Sequence, residues 1–188
     1  MTKPPLPNRV AGDLALDLVN TRDWRGTPRE IDYLADSDGI LAWAGQAGLV
    51  APEERFPPAA CQQLVAEVHA LRRAIEEAAV AIVGGEEPPR TALAVIRDHA
   101  ARNLADATLS GAPTRLGFSG IARICGPIAW AAFDLLRGDE LARLKQCPPE
   151  DCRWLFIDRS KNGSRRWCEM ATCGNRAKKL RGSTRGRA

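Results

Sequence analysis

Apolar residues recur at intervals of three and four over most of the chain, the spacing that places them on one face of a helix. Ile40, Leu41, Ala44 and Ala47 form one such face, with Asp36 or Ser37 as the capping residue and Gly48 as the stop. After Pro57-Pro58 a longer helix is predicted through Leu64, Val68, Leu71, Ile75 and Ile82, ended by Gly84-Gly85. Pro88-Pro89 then form a hinge before a helix through Leu93, Ile96, Ala100 and Leu104. A last large helix is expected from Ser119 through Ile124, Ile128 and Leu135, kinked at Pro127, where an interior proline removes a backbone hydrogen bond. The segment Leu109 to Phe118 is rich in Gly, Pro and Ser, with room for a brief strand. A short helix from Asp139 to Lys145 is predicted to lead straight into Cys147.

The pattern changes after Cys147. Arg153 to Asp158 reads as a strand, Asn162-Gly163 as a tight turn and Arg165-Arg166-Trp167 as the return strand. This hairpin lies between Cys147-Pro-Pro-Glu-Asp-Cys152 and Cys168-Glu-Met-Ala-Thr-Cys173, two close pairs separated by 15 residues. Such spacing brings four thiolates to one tetrahedral point, the arrangement of a structural zinc site. A disulfide pair, or an iron–sulfur cluster or another metal, is the alternative. Cys173 sits where a helix can begin, from Asn175 through Lys178 and Leu180, so knuckle, hairpin and ligand-bearing helix suggest a treble-clef-like finger. Cys61 and Cys125 fall within apolar helical patterns and read as packed thiols. The fold class expected is therefore mainly α: a helical body over 1–140, and a small β-hairpin/helix finger with a basic tail over 141–188.

Composition sharpens this picture. A chain of 188 residues that is 45% hydrophobic and 27% charged has the profile of a soluble globular protein. The opening Met-Thr-Lys-Pro-Pro-Leu-Pro lacks an apolar leader, and no stretch approaches the roughly 18 apolar residues of a membrane span, so the expectation is a cytoplasmic protein without a membrane partner. In that reducing compartment clustered cysteines are metal ligands before they are disulfides. The net charge of +4 hides an asymmetry: residues 147–188 hold 11 Lys+Arg against 4 Asp+Glu, a surplus of +7, and the rest of the chain carries −3. One zinc with four thiolates adds −2 and lowers the local surplus to +5. Backbone N–H groups near Gly174 and the side chains of Arg153, Arg166 and Arg176 are placed in sequence to compensate that cluster. A basic module of this kind suits an anionic partner, nucleic acid being the commonest.

At these residues the chain resembles the bacterial CGNR zinc-finger proteins, named for the motif that stands here as Cys173-Gly174-Asn175-Arg176. The resemblance runs from Leu135 to Lys179 and includes Leu155-Phe156-Ile157-Asp158 and Arg165-Arg166-Trp167-Cys168. Upstream, Leu14-Ala15-Leu16-Asp17-Leu18-Val19-Asn20-Thr21 and Leu41-Ala42-Trp43-Ala44 are similar to the N-terminal domain of that family, a stress-induced transcription regulator. The resemblance implies transcription regulation, with DNA as partner.

Candidate nucleic-acid contacts are Arg165, Arg166, Arg176, Lys178, Lys179 and Arg181, which would meet phosphates without reading bases. Asp17, Asn20, Thr21, Arg22 and Trp24 follow an apolar segment and form a candidate ligand site; the alternative is that Asp17, Asn20 and Thr21 cap and satisfy backbone there. His69 and His99 lack a metal-binding or nucleophile partner in sequence and read as ordinary helix residues. No catalytic motif is present, so no enzyme is expected. The leading reading is a DNA-binding transcription regulator whose body senses a small-molecule effector or pairs two subunits as a homodimer. A zinc-stabilised protein–protein interaction module is the main rival, and an enzyme with a pocket in the body is the third.

Overall fold

A computed structural model describes residues 4–179. Helix α1 (Leu14–Val19) starts at Asp13, whose carboxylate accepts from the N–H groups of Ala15 (2.8 Å) and Leu16 (3.3 Å), as an N-cap should. A two-stranded ladder follows, β1 (Arg22–Asp23) against β2 (Ile31–Asp32). Helix α2 (Ser37–Gln46) is capped by Asp36, which accepts from Gly39 N–H. Helix α3 (Pro58–Val83) opens on proline, whose missing N–H costs nothing at a helix start, and Gly84 follows its end. Helix α4 (Arg90–Ala105) follows Pro89, and the hairpin β3 (Thr108–Ser110) with β4 (Arg115–Gly117) fills the segment expected to hold one brief strand. Helix α5 (Ala122–Arg137) runs through Pro127 as one element.

Helices α3, α4 and α5 pack on one another, and α1 lies against α3 and α5. Their facing residues make one continuous core around Leu16, Leu18, Trp43, Leu64, Leu71 and Ile128, all fully buried. No described helix is long and apolar enough to cross a membrane.

Two expectations for the C-terminal part are corrected. The predicted helix Asp139 to Lys145 is a 3₁₀ turn over Asp139–Arg143, after which Leu144–Gln146 are extended as β5. That strand pairs antiparallel with β6 (Leu155–Ile157) in the register Leu144↔Ile157, Lys145↔Phe156 and Gln146↔Leu155. The predicted return strand Arg165–Trp167 is not a strand, because both edges of β6 are already occupied. Its other edge bonds to the N-terminal segment: Ile157 N–H donates to Ala11 O (2.9 Å), and Asn20 holds Leu155 at both backbone groups. Residues 175–179 form a helix after a π-helical turn over Met170–Gly174.

Side chains on β6 alternate, as a strand requires. Leu155 and Ile157, with Leu144, enter the core of the body. Trp154 and Phe156 point the other way and pack with the four cysteines in a second cluster. One short strand thus belongs to two cores.

Candidate metal centre

The ligand cysteines stand at three places that this geometry fixes. Cys147 and Cys152 bracket the turn between β5 and β6, which is closed by Cys147 N–H donating to Trp154 O (2.7 Å) and Cys152 N–H donating to Pro149 O (3.0 Å). Cys168 follows the loop 158–167, and Cys173 lies in the turn that opens the last helix. All four are buried, and their sulfurs lie within 4.8 Å of one another. The Cys152–Cys168 and Cys168–Cys173 sulfurs are each 3.7 Å apart. A regular tetrahedron with zinc–sulfur bonds of about 2.3 Å has edges of about 3.8 Å, which these two separations match, so the buried cluster suits one zinc ion. Packed so closely without a cation they cannot all be thiolates. Their mutual hydrogen bonds, led by those with Cys147, hold Cys173 well below the ordinary thiol range and push Cys168 well above it. Bound zinc would let all four ionise, and its role here is structural because four protein ligands leave no open position.

Of the predicted compensating groups, Arg176 does the work. Its Nη2 donates to Cys173 Sγ (3.4 Å), while both its terminal nitrogens hold the Asp151 carboxylate (3.0 and 3.1 Å). The same guanidinium lies 5.0 Å from the Trp24 ring, which Arg29 also meets at 4.1 Å. Cys168 N–H adds a bond to Cys147 Sγ (3.4 Å). Arg153 and Arg166 make no bond to a sulfur and are exposed.

Arg165 is also committed within the fold. Its guanidinium lies 4.3 Å from the Phe156 ring and donates to the carbonyls of Trp167 (3.1 Å), Val10 (2.8 Å) and Cys168. Lys178 and Lys179 are exposed on the last helical residues, and Arg181 lies outside the described residues. Asp158, which sequence reasoning passed over, organises the loop between the cysteine pairs. It is fully buried, accepts from Lys145 Nζ (2.6 Å), Ser160 N–H and Oγ, and Arg165 N–H, and is held well below the usual carboxylate range, Lys145 being the main cause. Asp151 was missed too, although its place inside the first cysteine pair was the signal for it.

The candidate ligand residues do not converge on one cavity. Asp17 is buried against Arg9 (3.1 Å) and Ala11 N–H (3.0 Å), and burial raises its pKa. Asn20 is spent on Leu155, and Thr21 donates to Leu18 O (2.6 Å) while accepting from Arg72 (3.1 Å). Arg22 pairs with Glu30, and its carbonyl accepts from the Trp154 indole (3.0 Å). Trp24 lines a cavity beside the metal centre.

Two family models match the chain. The model of the CGNR zinc finger covers residues 143–185, and that of the ABATE family, described as "putative stress-induced transcription regulator", covers residues 12–139. No curated protein matches it. With a family model over more than half of its length and the finger model over the four-cysteine cluster, the chain belongs to the ABATE family and ends in a CGNR zinc finger.

Proposed function

We propose that this protein is a DNA-binding transcription regulator whose zinc-organised C-terminal part, residues 141–188 beside a body of 1–140, makes the contacts to the duplex backbone. Family membership supports regulation; the observation that carries the DNA contact is a set of free cations. Arg153, Lys161, Arg166, Lys178 and Lys179 are exposed, and among the described residues none has a carboxylate partner. Arg165 and Arg176, by contrast, are consumed by carbonyls, a carboxylate and a thiolate, so their part is to build the platform. Phosphate neutralisation releases counterions, so affinity for mixed-sequence duplex should fall linearly in log–log form as salt rises, with a slope of about −3 to −5 for three to five contacted phosphates. Anisotropy titrations of the zinc-loaded chain at several salt concentrations measure that slope. Replacing Arg166, Lys178 and Lys179 together by Ala should flatten it and weaken all sequences alike. A zinc-loaded chain with no affinity for duplex DNA at low salt would leave the protein–protein interaction reading in its place.

A further inference from the structure

Beside the metal centre lies a cavity of about 520 Å³ that the DNA reading does not use. It is of the size of small-molecule sites, which span roughly 300–1,000 Å³. Three parts of the chain build it: the segment Pro5–Asn8, the β1–β2 ladder and its loop, and the finger around Cys152, Cys168 and Cys173. Trp24, Tyr33 and Trp154 give it aromatic walls, Asp23 and Glu169 give it carboxylates, and Glu169 accepts from Asn8 (3.4 Å).

The Asp23 carboxylate has no ion-pair partner among the described residues, although the Arg176 charge reaches it from farther off. Among those residues its one hydrogen bond comes from the adjoining Trp24 N–H (3.1 Å). Burial raises its pKa, opposed by the Trp24 N–H bond; the Cys173 charge adds to the rise and the Arg176 charge opposes it. Arg176 also lines the cavity, but Asp151 and Cys173 already hold it. The four-thiolate zinc cluster behind the wall adds −2, so the potential inside is negative and an anion is disfavoured. Aromatic faces attract cations, as Trp24 shows by carrying Arg29 and Arg176. The rings of Tyr33 and Trp154 carry none, and the Tyr33 hydroxyl has no hydrogen-bond partner among the described residues.

We propose that this cavity binds a small organic cation, an ammonium or quaternary ammonium head on a compact apolar body, with the head against Asp23, Tyr33 and Trp154 and the body against Leu6 and its flanking prolines. Because the walls come from both the body and the finger, the ligand holds the two together and stabilises the zinc-loaded form by mass action. The proposal stands apart from the DNA reading and is tested without DNA. Zinc-loaded full-length chain is titrated by calorimetry and tryptophan fluorescence with tetramethylammonium, with choline, and with 3,3-dimethylbutan-1-ol, the uncharged isostere of choline. The expected result is saturable binding of the two cations, with choline at least about tenfold tighter than its isostere. Asp23→Asn should weaken choline by about tenfold or more with zinc content and helical circular dichroism unchanged. Equal binding of choline and the isostere, full choline affinity in a folded Asp23→Asn variant, or no saturable binding of either cation would each overturn the proposal. Should Asp23→Asn lose its zinc, the cation–isostere comparison on the unaltered chain decides.

Discussion

Asn20 is a polar residue at a helix end whose work is done far away in sequence. Its Nδ2 donates to Leu155 O (2.8 Å) and its Oδ1 accepts from Leu155 N–H (2.9 Å), so one side chain replaces a strand along the inner edge of β6. Leu155 is fully buried, and Asn20→Ala would leave both of its backbone groups without partners. Each orphaned group costs on the order of 1–3 kcal/mol, more in total than the roughly 0.5–2 kcal/mol of a lost helix cap. The expected outcome is a melting temperature lowered by about 2–4 °C per kcal/mol, with zinc still bound, as followed by thermal denaturation and metal analysis. Gly39 makes a related demand. A Cβ there would lie 2.1 Å from the Tyr33 carbonyl oxygen, a backbone atom that cannot turn aside. Gly39→Ala should therefore lower the melting temperature although alanine is the better helix former; an unchanged melt would mean that the approach of Tyr33 to α2 is looser than the structure has it.

At the scale of elements, the loop between the cysteine pairs hangs on Asp158. Lys145 reaches across from β5 to its carboxylate and also donates to Gly163 O (2.6 Å), fixing the loop to the strand before the first ligand. Asp158 has a depressed folded pKa, so its contribution is fully present above the unfolded value of about 3.9 and is lost as pH falls from there toward the folded value. Asp13 and Asp17, raised by burial, act in the opposite sense, their contributions being largest at acid pH and declining as pH rises through the carboxylate range. The difference between the unaltered chain and Asp158→Asn isolates the first effect: their stabilities should converge on acidification below about pH 4, and parallel curves would remove Asp158 as the cause. Sequence pattern predicted the four large helices well because caps, prolines and glycines mark their ends, as Asp36, Pro58, Gly84 and Pro89 do. It placed the zinc ligands because their spacing is the chemistry. It mispaired β6 because strand partners are settled by what lies beyond the strand, here Ala11 and Asn20, more than 130 residues away in sequence. For the same reason Arg165 reads as a free cation in sequence, and Arg176 as a partner of the cluster or of a phosphate only, whereas the fold supplies Val10, Asp151 and Trp24 to engage them.

For the whole molecule the question is how much of the helical body depends on zinc. The hairpin β5–β6 places Leu144, Leu155 and Ile157 in the large core and Trp154 and Phe156 against the cysteines, so metal removal acts on one face of a strand whose other face remains buried. The four-thiolate cluster loses its cohesion without the ion, because neighbouring sulfurs then repel whenever more than one is ionised. Contacts that depend on the finger go with it: Arg165 to Val10, Asn8 to Glu169 (3.4 Å) and Arg176 to Trp24. Helices α3, α4 and α5 keep a core built from their own residues, Leu64, Leu71, Ile96, Ile124 and Ile128 among them. Chelation should therefore leave most far-ultraviolet helical signal in place while the emission of Trp24, Trp154 and Trp167 shifts to the red and protease cleaves within the finger and residues 5–12. Cys147→Ser, Cys152→Ser, Cys168→Ser and Cys173→Ser should reproduce that state, whereas Cys125→Ser, a buried thiol on α5 whose pKa burial pushes up to about 12, should keep one zinc per chain. If the helical signal collapsed together with zinc release, the strand shared between the two cores would be holding the body together, and the division at residue 140 would describe the sequence and not the folding units.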